Sequence, residues 1–190
     1  MVDGLRSKMV VLFDACVLYP APLRDFLMHL ASTDLFAARW TNAIHEEWMR
    51  NLLEVRPDLI RSQLERTRNL MNQHVMDCLV DGYEHLIEQI QLPDPDDRHV
   101  LAAAIHCEAE VILTFNLKDF PETTLNPWGI IAQNPDDFIC EWIEHSPSFI
   151  LQAIQTQQSS LKRPPMSMEQ LLIVLERQQI PKSVAKLRAI

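Results

Sequence analysis

Met9-Val10-Val11-Leu12-Phe13-Asp14 is a continuous apolar run, rich in Val, that stops at a carboxylate. A run without polar alternation reads as a strand buried on both faces, the pattern of a parallel sheet. A second such run, Val111-Ile112-Leu113-Thr114-Phe115, comes late in the chain. Residues 35–40 and 130–132 read as two further strands. Between these runs the period changes. Leu23, Phe26, Leu27 and Leu30 fall at i, i+3, i+4 and i+7, one apolar stripe of a helix. Thr41 or Asn42 can cap a helix whose inward face holds Ile44, Trp48 and Leu52. Pro57 fits the first turn of another, running through Leu59, Ile60, Leu64, Thr67 and Met71, with Arg61, Arg66 and Arg68 opposite. Residues 75–90 show no clear period, and Gly82 marks a break.

Leu92-Pro93-Asp94-Pro95-Asp96-Asp97 feeds an Ala-rich helix with Val100, Leu101, Ala104 and Ile105 on its apolar face. Asn134-Pro135-Asp136-Asp137 combines a cap, a proline at the first position and acids in the first turn. Alternating strands and helices at these spacings predict an α/β fold, a three-layer α/β/α sandwich around a parallel sheet, over residues 1–145. After Pro147 the chain becomes helical and polar by turns. Ser167 and Gln170 form a capping-box pattern before an apolar run. Residues 146–190 read as a helical extension too short to hold its own core.

The chain of 190 residues carries a net charge of −9, unevenly divided. Residues 161–190 hold six basic against two acidic groups; residues 1–160 hold 11 basic against 24 acidic. An acidic body argues against a non-specific nucleic-acid binder unless cations or local basic patches admit an anionic substrate. Either the basic tail supplies attraction, or it folds against the acidic body. Cys16, Cys78, Cys107 and Cys140 are scattered, without a CxxC pair or zinc-ligand spacing, and read as free thiols. No apolar run reaches the roughly 18 residues needed to cross a bilayer, and Met1 to Lys8 lacks the layout of a secretory signal. A cytoplasmic protein with no membrane association is the expectation. Trp40, Trp48, Trp128 and Trp142 read as core.

Four acids stand beside apolar runs: Asp14, Glu47, Asp97 and Asp119. In open α/β sheets, ligands bind beyond the carboxyl ends of the strands. Asp14 lies at such an end, Glu47 can point there from the helix after the second strand, and Asp97 from the first turn of its helix. Converging carboxylates repel unless a hard cation stands between them, and oxygen-only ligands suit Mg²⁺ or Mn²⁺. That chemistry predicts a metal-dependent phosphodiesterase. Arg24 and Arg98 are candidate phosphate contacts, with solvated surface arginines as the plainer reading. His99 and His106 share a helix face without a third ligand at metal-site spacing, and read as packing or surface groups.

The ordered set of motifs resembles PIN-domain nucleases, and within them the toxin subunits of VapBC-type toxin–antitoxin modules. The carrying stretches are Val11-Leu12-Phe13-Asp14-Ala15-Cys16-Val17-Leu18, Ile44-His45-Glu46-Glu47-Trp48, Asp94-Pro95-Asp96-Asp97-Arg98-His99-Val100-Leu101-Ala102-Ala103-Ala104 and Thr114-Phe115-Asn116-Leu117-Lys118-Asp119-Phe120-Pro121. Leu161-Lys162-Arg163-Pro164-Pro165 also resembles the helical extension of one branch. The resemblance implies endonucleolytic cleavage of RNA with Mg²⁺ or Mn²⁺, restraint by a small antitoxin protein, and a homodimer. It implies that Asp14, Glu47 and Asp97 are the first three acids of the site, with Glu46 the competing choice for the second. At the fourth position, where many members have an acid, this chain has Asn116, with Asp119 three residues later. Asp14, Asp97 and Asp119 are thus the expected metal ligands, and Asn116 and Glu47 complete the catalytic set. Two other readings stand beside this one. A catalytically inactive PIN-fold binding protein is favoured by Asn116. A haloacid-dehalogenase-like phosphatase would need a second aspartate where Cys16 stands.

Overall fold

The computed structural model describes residues 8–190. The stretch 1–7, which holds most of the polar N-terminus noted above, lies outside them. Four short strands form one parallel sheet: β1 (Val10–Phe13), β2 (Ala37–Arg39), β3 (Val111–Leu113) and β4 (Ile131–Gln133). Their order across the sheet is β2-β1-β3-β4. Val11 pairs with Ala38 on one side and Val111 on the other, so β1 is central. Val11, Leu12 and Phe13 are fully buried, as a strand covered on both faces must be. Helices cover both faces, as the sequence predicts.

From β1 the chain steps outward to β2, then returns across β1 to reach β3. The crevice between β1 and β3 is therefore the point where the strand order reverses, the usual ligand position in such sheets. Asp14 N–H donates to the Leu113 carbonyl at 3.1 Å, and Thr114 N–H to Gln133 at 3.0 Å. The ladder thus continues one residue past each strand and fixes Asp14 and Thr114 at the rim of that crevice.

Asp14 caps a single turn, α1 (Ala15–Leu18). α2 (Ala21–Ala31) buries its predicted stripe completely: Leu23, Phe26, Leu27 and Leu30 have no exposed surface. Each such side chain contributes about 1.5–3 kcal/mol of transfer free energy. α3 (Asn42–Val55) is capped by Thr41, whose Oγ1 accepts from the Ile44 N–H at 3.0 Å. After α4 (Arg61–His74), α5 (Arg98–His106) packs on β1 and β3, where Ala102, Ala103 and Ala104 permit close approach.

Two expectations need correction. Pro57 does not open a helix. Arg56 grips Asp58 through two hydrogen bonds of 2.8 and 2.6 Å, and Leu59 N–H closes a turn on the Arg56 carbonyl. α4 (Arg61–His74) starts only after Gln63 Oε1 has accepted the Ile60 N–H. Trp128 is 54% exposed, because it ends a 3-10 turn (Asn126–Trp128) that Gly129, at φ +69°, turns back toward β4. The unassigned stretch 75–90 pairs Leu79 with Trp40 in an isolated parallel bridge, bends at Gly82 (φ +82°) and ends in a 3-10 turn (Glu84–Gln89).

After the short α6 (Glu122–Leu125) come α7 (Pro135–His145), α8 (Pro147–Ser160), α9 (Met168–Glu176) and α10 (Pro181–Leu187). The capping box at Ser167 and Gln170 is formed, with bonds of 3.2 and 2.8 Å. α8 packs on α2, where Gln157 Nε2 donates to the Pro22 carbonyl at 2.9 Å. α10 docks on α7 through one buried carboxylate. Asp136 accepts from Lys182 N–H (3.0 Å), Ser183 N–H (2.7 Å) and Ser183 Oγ (2.6 Å). Lys182 pairs with Asp137, Lys186 with Glu144, and Arg188 with Glu169 and Glu176. Three of the tail's six cations are therefore paired, at the surface, with acids of α7 and α9. No helix among the described residues is long and apolar enough to cross a membrane.

Candidate active site

Asp14 is buried, 2% exposed, and its carboxylate is held from three directions. Oδ1 accepts from the Ala15 N–H at 2.6 Å. Oδ2 accepts from Thr114 Oγ1 at 2.7 Å and from the Cys16 thiol at 3.1 Å. Burial pushes the Asp14 carboxyl above the usual aspartate range, and the Glu47 charge adds to this; the hydrogen bonds work the other way. Thr114 is itself fully buried and accepts the Asn116 N–H at 2.9 Å. Cys16 Sγ accepts the Phe115 N–H at 3.2 Å, and burial beside Asp14 raises its pKa strongly. This thiol is a packed support for Asp14 and not a nucleophile.

Asp97 ends the 3-10 turn Pro95–Asp97 and opens α5. Its carboxyl is pushed up to about 7, first by partial burial and then by the charges of Asp14, Asp94, Glu47 and Asp119. Four acids drawn from four separate stretches of the chain therefore act on one carboxyl. Asp119 closes a turn with its N–H on the Asn116 carbonyl at 2.9 Å. Asn116 itself is exposed.

The two adjacent glutamates of α3 diverge. Glu46 faces Arg61, whose guanidinium grips it with bonds of 2.8 and 2.5 Å. Glu47 faces the acids and lies 3.4 Å from His99 Nε2. His45, between the two turns, is fully buried: its Nε2 meets Asn72 Oδ1 at 2.9 Å and its Nδ1 accepts from Trp48 at 3.0 Å. Burial lowers its pKa to about 4, so the ring is neutral. Arg24 is neither a solvated arginine nor a phosphate contact. It is 8% exposed, donates to the Leu18 carbonyl at 2.6 Å and stacks 4.6 Å over the Trp48 ring. This buried frame holds α1 to α3 and so fixes the bearing of Glu47.

Sequence alone reads Cys16 as a free thiol and His99 as a packing or surface group, whereas the structure sets them against Asp14 and Glu47. Cys16 stands two residues after Asp14, and His99 two after Asp97. Closeness in sequence to a site acid is the one local signal, and a weak one, because residues two apart do not share a helix face.

The donor chemistry, carboxylate oxygens with one amide oxygen beside them, fits a hard divalent cation. Among the described residues, no three His, Cys, Asp or Glu groups are placed to close around one ion.

A family model described as "PIN domain" matches residues 10–118, and one described as "VapC50 C-terminal domain" matches residues 135–189. The chain belongs to the PIN-domain family. It is similar to "Putative ribonuclease VapC50" of Mycobacterium tuberculosis, 39% identical over 107 residues, which is 56% of this chain and 62% of that protein. The chain thus aligns with less than two thirds of that relative's length. No solved structure matches. The second match begins at α7, the helix whose Asp136 holds α10.

Proposed function

We propose that this chain is a Mg²⁺- or Mn²⁺-dependent endoribonuclease, the toxin of a toxin–antitoxin pair held in check by a small antitoxin protein in the cytoplasm. The observation that carries the reading is the convergence of Asp14, Asp94, Glu47 and Asp119 on Asp97, whose carboxyl is pushed up to about 7 by partial burial first and by their charges next. Membership of the PIN-domain family supports the same chemistry. Asp14, Asp97 and Asp119 would hold the cation. A divalent cation bound there would supply Lewis-acid chemistry: it would stabilise charge developing on a phosphate and lower the pKa of a water.

The chain's own residues do the rest. Thr114 and Cys16 hold Asp14 in its rotamer. Glu47 orients or deprotonates the attacking water from the α3 side. Asn116 offers an amide oxygen at the solvent edge, beside Asp119. Residues 8–145 form the catalytic body, and 146–190 an extension anchored on α2 and α7.

Asp14→Asn and Asp97→Asn, made singly, test the reading on a labelled RNA with Mn²⁺. Each should lower cleavage by about a thousandfold or more, since a cation site loses a charged ligand. Cleavage that survives both changes unaltered would overturn it. The exposed Asn116 favours a second reading, an inactive PIN-fold binding protein. That reading requires wild-type chain to bind RNA without cutting it at any Mn²⁺ concentration.

A further inference from the structure

Glu47 lies on α3 and His99 on α5, far apart in sequence, yet their side chains meet. His99 Nε2 stands 3.4 Å from Glu47 Oε2, with the two side chains 19% and 28% exposed. The other ring nitrogen, Nδ1, is buried without a hydrogen-bond partner among the described residues. The polar contact of this imidazole is therefore Glu47. Glu47 in turn lies close enough to Asp14 and Asp97 for its charge to act on both. Left alone, a glutamate at such a place swings away from its like-charged neighbours into water. Glu46, one residue earlier, is held outward by Arg61.

We propose that His99 is a positioning residue: its ring holds the Glu47 carboxylate toward Asp14 and Asp97, linking α3 to the start of α5. The consequence for RNA cleavage rests on the nuclease reading above, whereas the consequence for cation binding does not. His99 acts through Glu47 and touches neither the ion nor the substrate. Residues that orient the groups around a metal typically change affinity or activity by about 10- to 100-fold when lost.

The experiment uses the full chain as wild type, His99→Leu, His99→Gln, Glu47→Gln and the His99→Leu/Glu47→Gln double variant. Mn²⁺ binding is measured by calorimetry at one pH and ionic strength, and kcat and KM on RNA are measured separately. His99→Leu should weaken Mn²⁺ binding about 10- to 100-fold and lower kcat similarly, with KM held within about twofold. His99→Gln, which keeps an N–H donor, should recover most of the loss. The double variant should lose no more than Glu47→Gln alone, because the two residues act as a unit. Losses that multiply in the double variant, or wild-type Mn²⁺ affinity in His99→Leu, overturn the proposal. If His99→Leu does not fold, His99→Asn, too short to reach Glu47, replaces it under the same criteria. Wild-type chain that binds Mn²⁺ without cutting RNA sinks the nuclease reading and leaves His99 to be decided by the isotherms. Wild-type chain that binds no Mn²⁺ overturns both.

Discussion

Thr114 donates its hydroxyl to Asp14 Oδ2 at 2.7 Å, joining the ends of β1 and β3 across 100 positions of sequence. The same hydroxyl oxygen accepts the Asn116 N–H at 2.9 Å. One buried side chain therefore orients the first acid and shapes the turn that leads to Asp119. A strand-end threonine is ordinarily a packing residue; here its position in the crevice makes it the partner of a buried charge.

Replacement of Thr114 by Val keeps the shape and removes both bonds. The buried Asp14 Oδ2 and the partly buried Asn116 N–H each lose a partner. The expected cost is about 1–3 kcal/mol, read from urea denaturation. Mn²⁺ affinity should fall as well, because Asp14 loses a hydrogen bond that favours its charged form.

Asp97 predicts the pH dependence of the metal-free chain. Its carboxyl titrates near 7 when folded against an ordinary 3.8, so between these values the native state binds more protons than the unfolded one. Stability from this group is full below about 3.8 and is lost as pH rises through 7. The half-buried setting limits it to on the order of 1–2 kcal/mol. His45 runs the opposite way: held neutral down to about 4 from an ordinary 6.5, it costs stability as pH falls through that window. The Asp97 contribution is therefore the difference in Tm between wild type and Asp97→Asn, in EDTA, from pH 5 to 8. Asp97→Asn should be the more stable at pH 8, and a constant difference across the range would refute the assignment.

Metal addition should reverse that order. At pH 8, Mn²⁺ at about a hundred times its Kd should stabilise wild type by about 2.7 kcal/mol, and EDTA should remove the gain. Asp97→Asn should show little response, measured by the same thermal scans.

Glu46 and Glu47 should separate cleanly. Glu47→Gln is expected to lower RNA cleavage by about a hundredfold or more. Glu46→Gln breaks only an exposed pair with Arg61, and should change activity and stability little. Equal effects from the two variants would mean that the α3 helix presents its acids differently.

Asp136→Ala removes three bonds to one buried carboxylate and the cap of α10. A loss of about 2–4 kcal/mol is expected in chemical denaturation. Protease cleavage near residue 181 should accelerate, since α10 would then separate from α7.

Much of this protein can be read from local pattern. Apolar runs at 9–13 and 111–115 specify strands buried on both faces. The stripe from Leu23 to Leu30 and the capping box at Ser167 and Gln170 specify helices. These signals are local because they come from backbone geometry and solvent, which act on near neighbours. The misplaced start of α4 came from a competing local bond, Arg56 to Asp58, that hydrophobic period does not register. What only the tertiary structure decided is which polar groups face one another. Glu46 and Glu47 are neighbours on one helix, and Arg61 and His99 separate them. Arg24 looks like a surface cation until α3 brings Trp48 beneath it. Thr114 and His99 acquire their partners only when the sheet and α5 close around Asp14. Electrostatic and hydrogen-bond energies depend on distance in space, and a chain records distance only along itself.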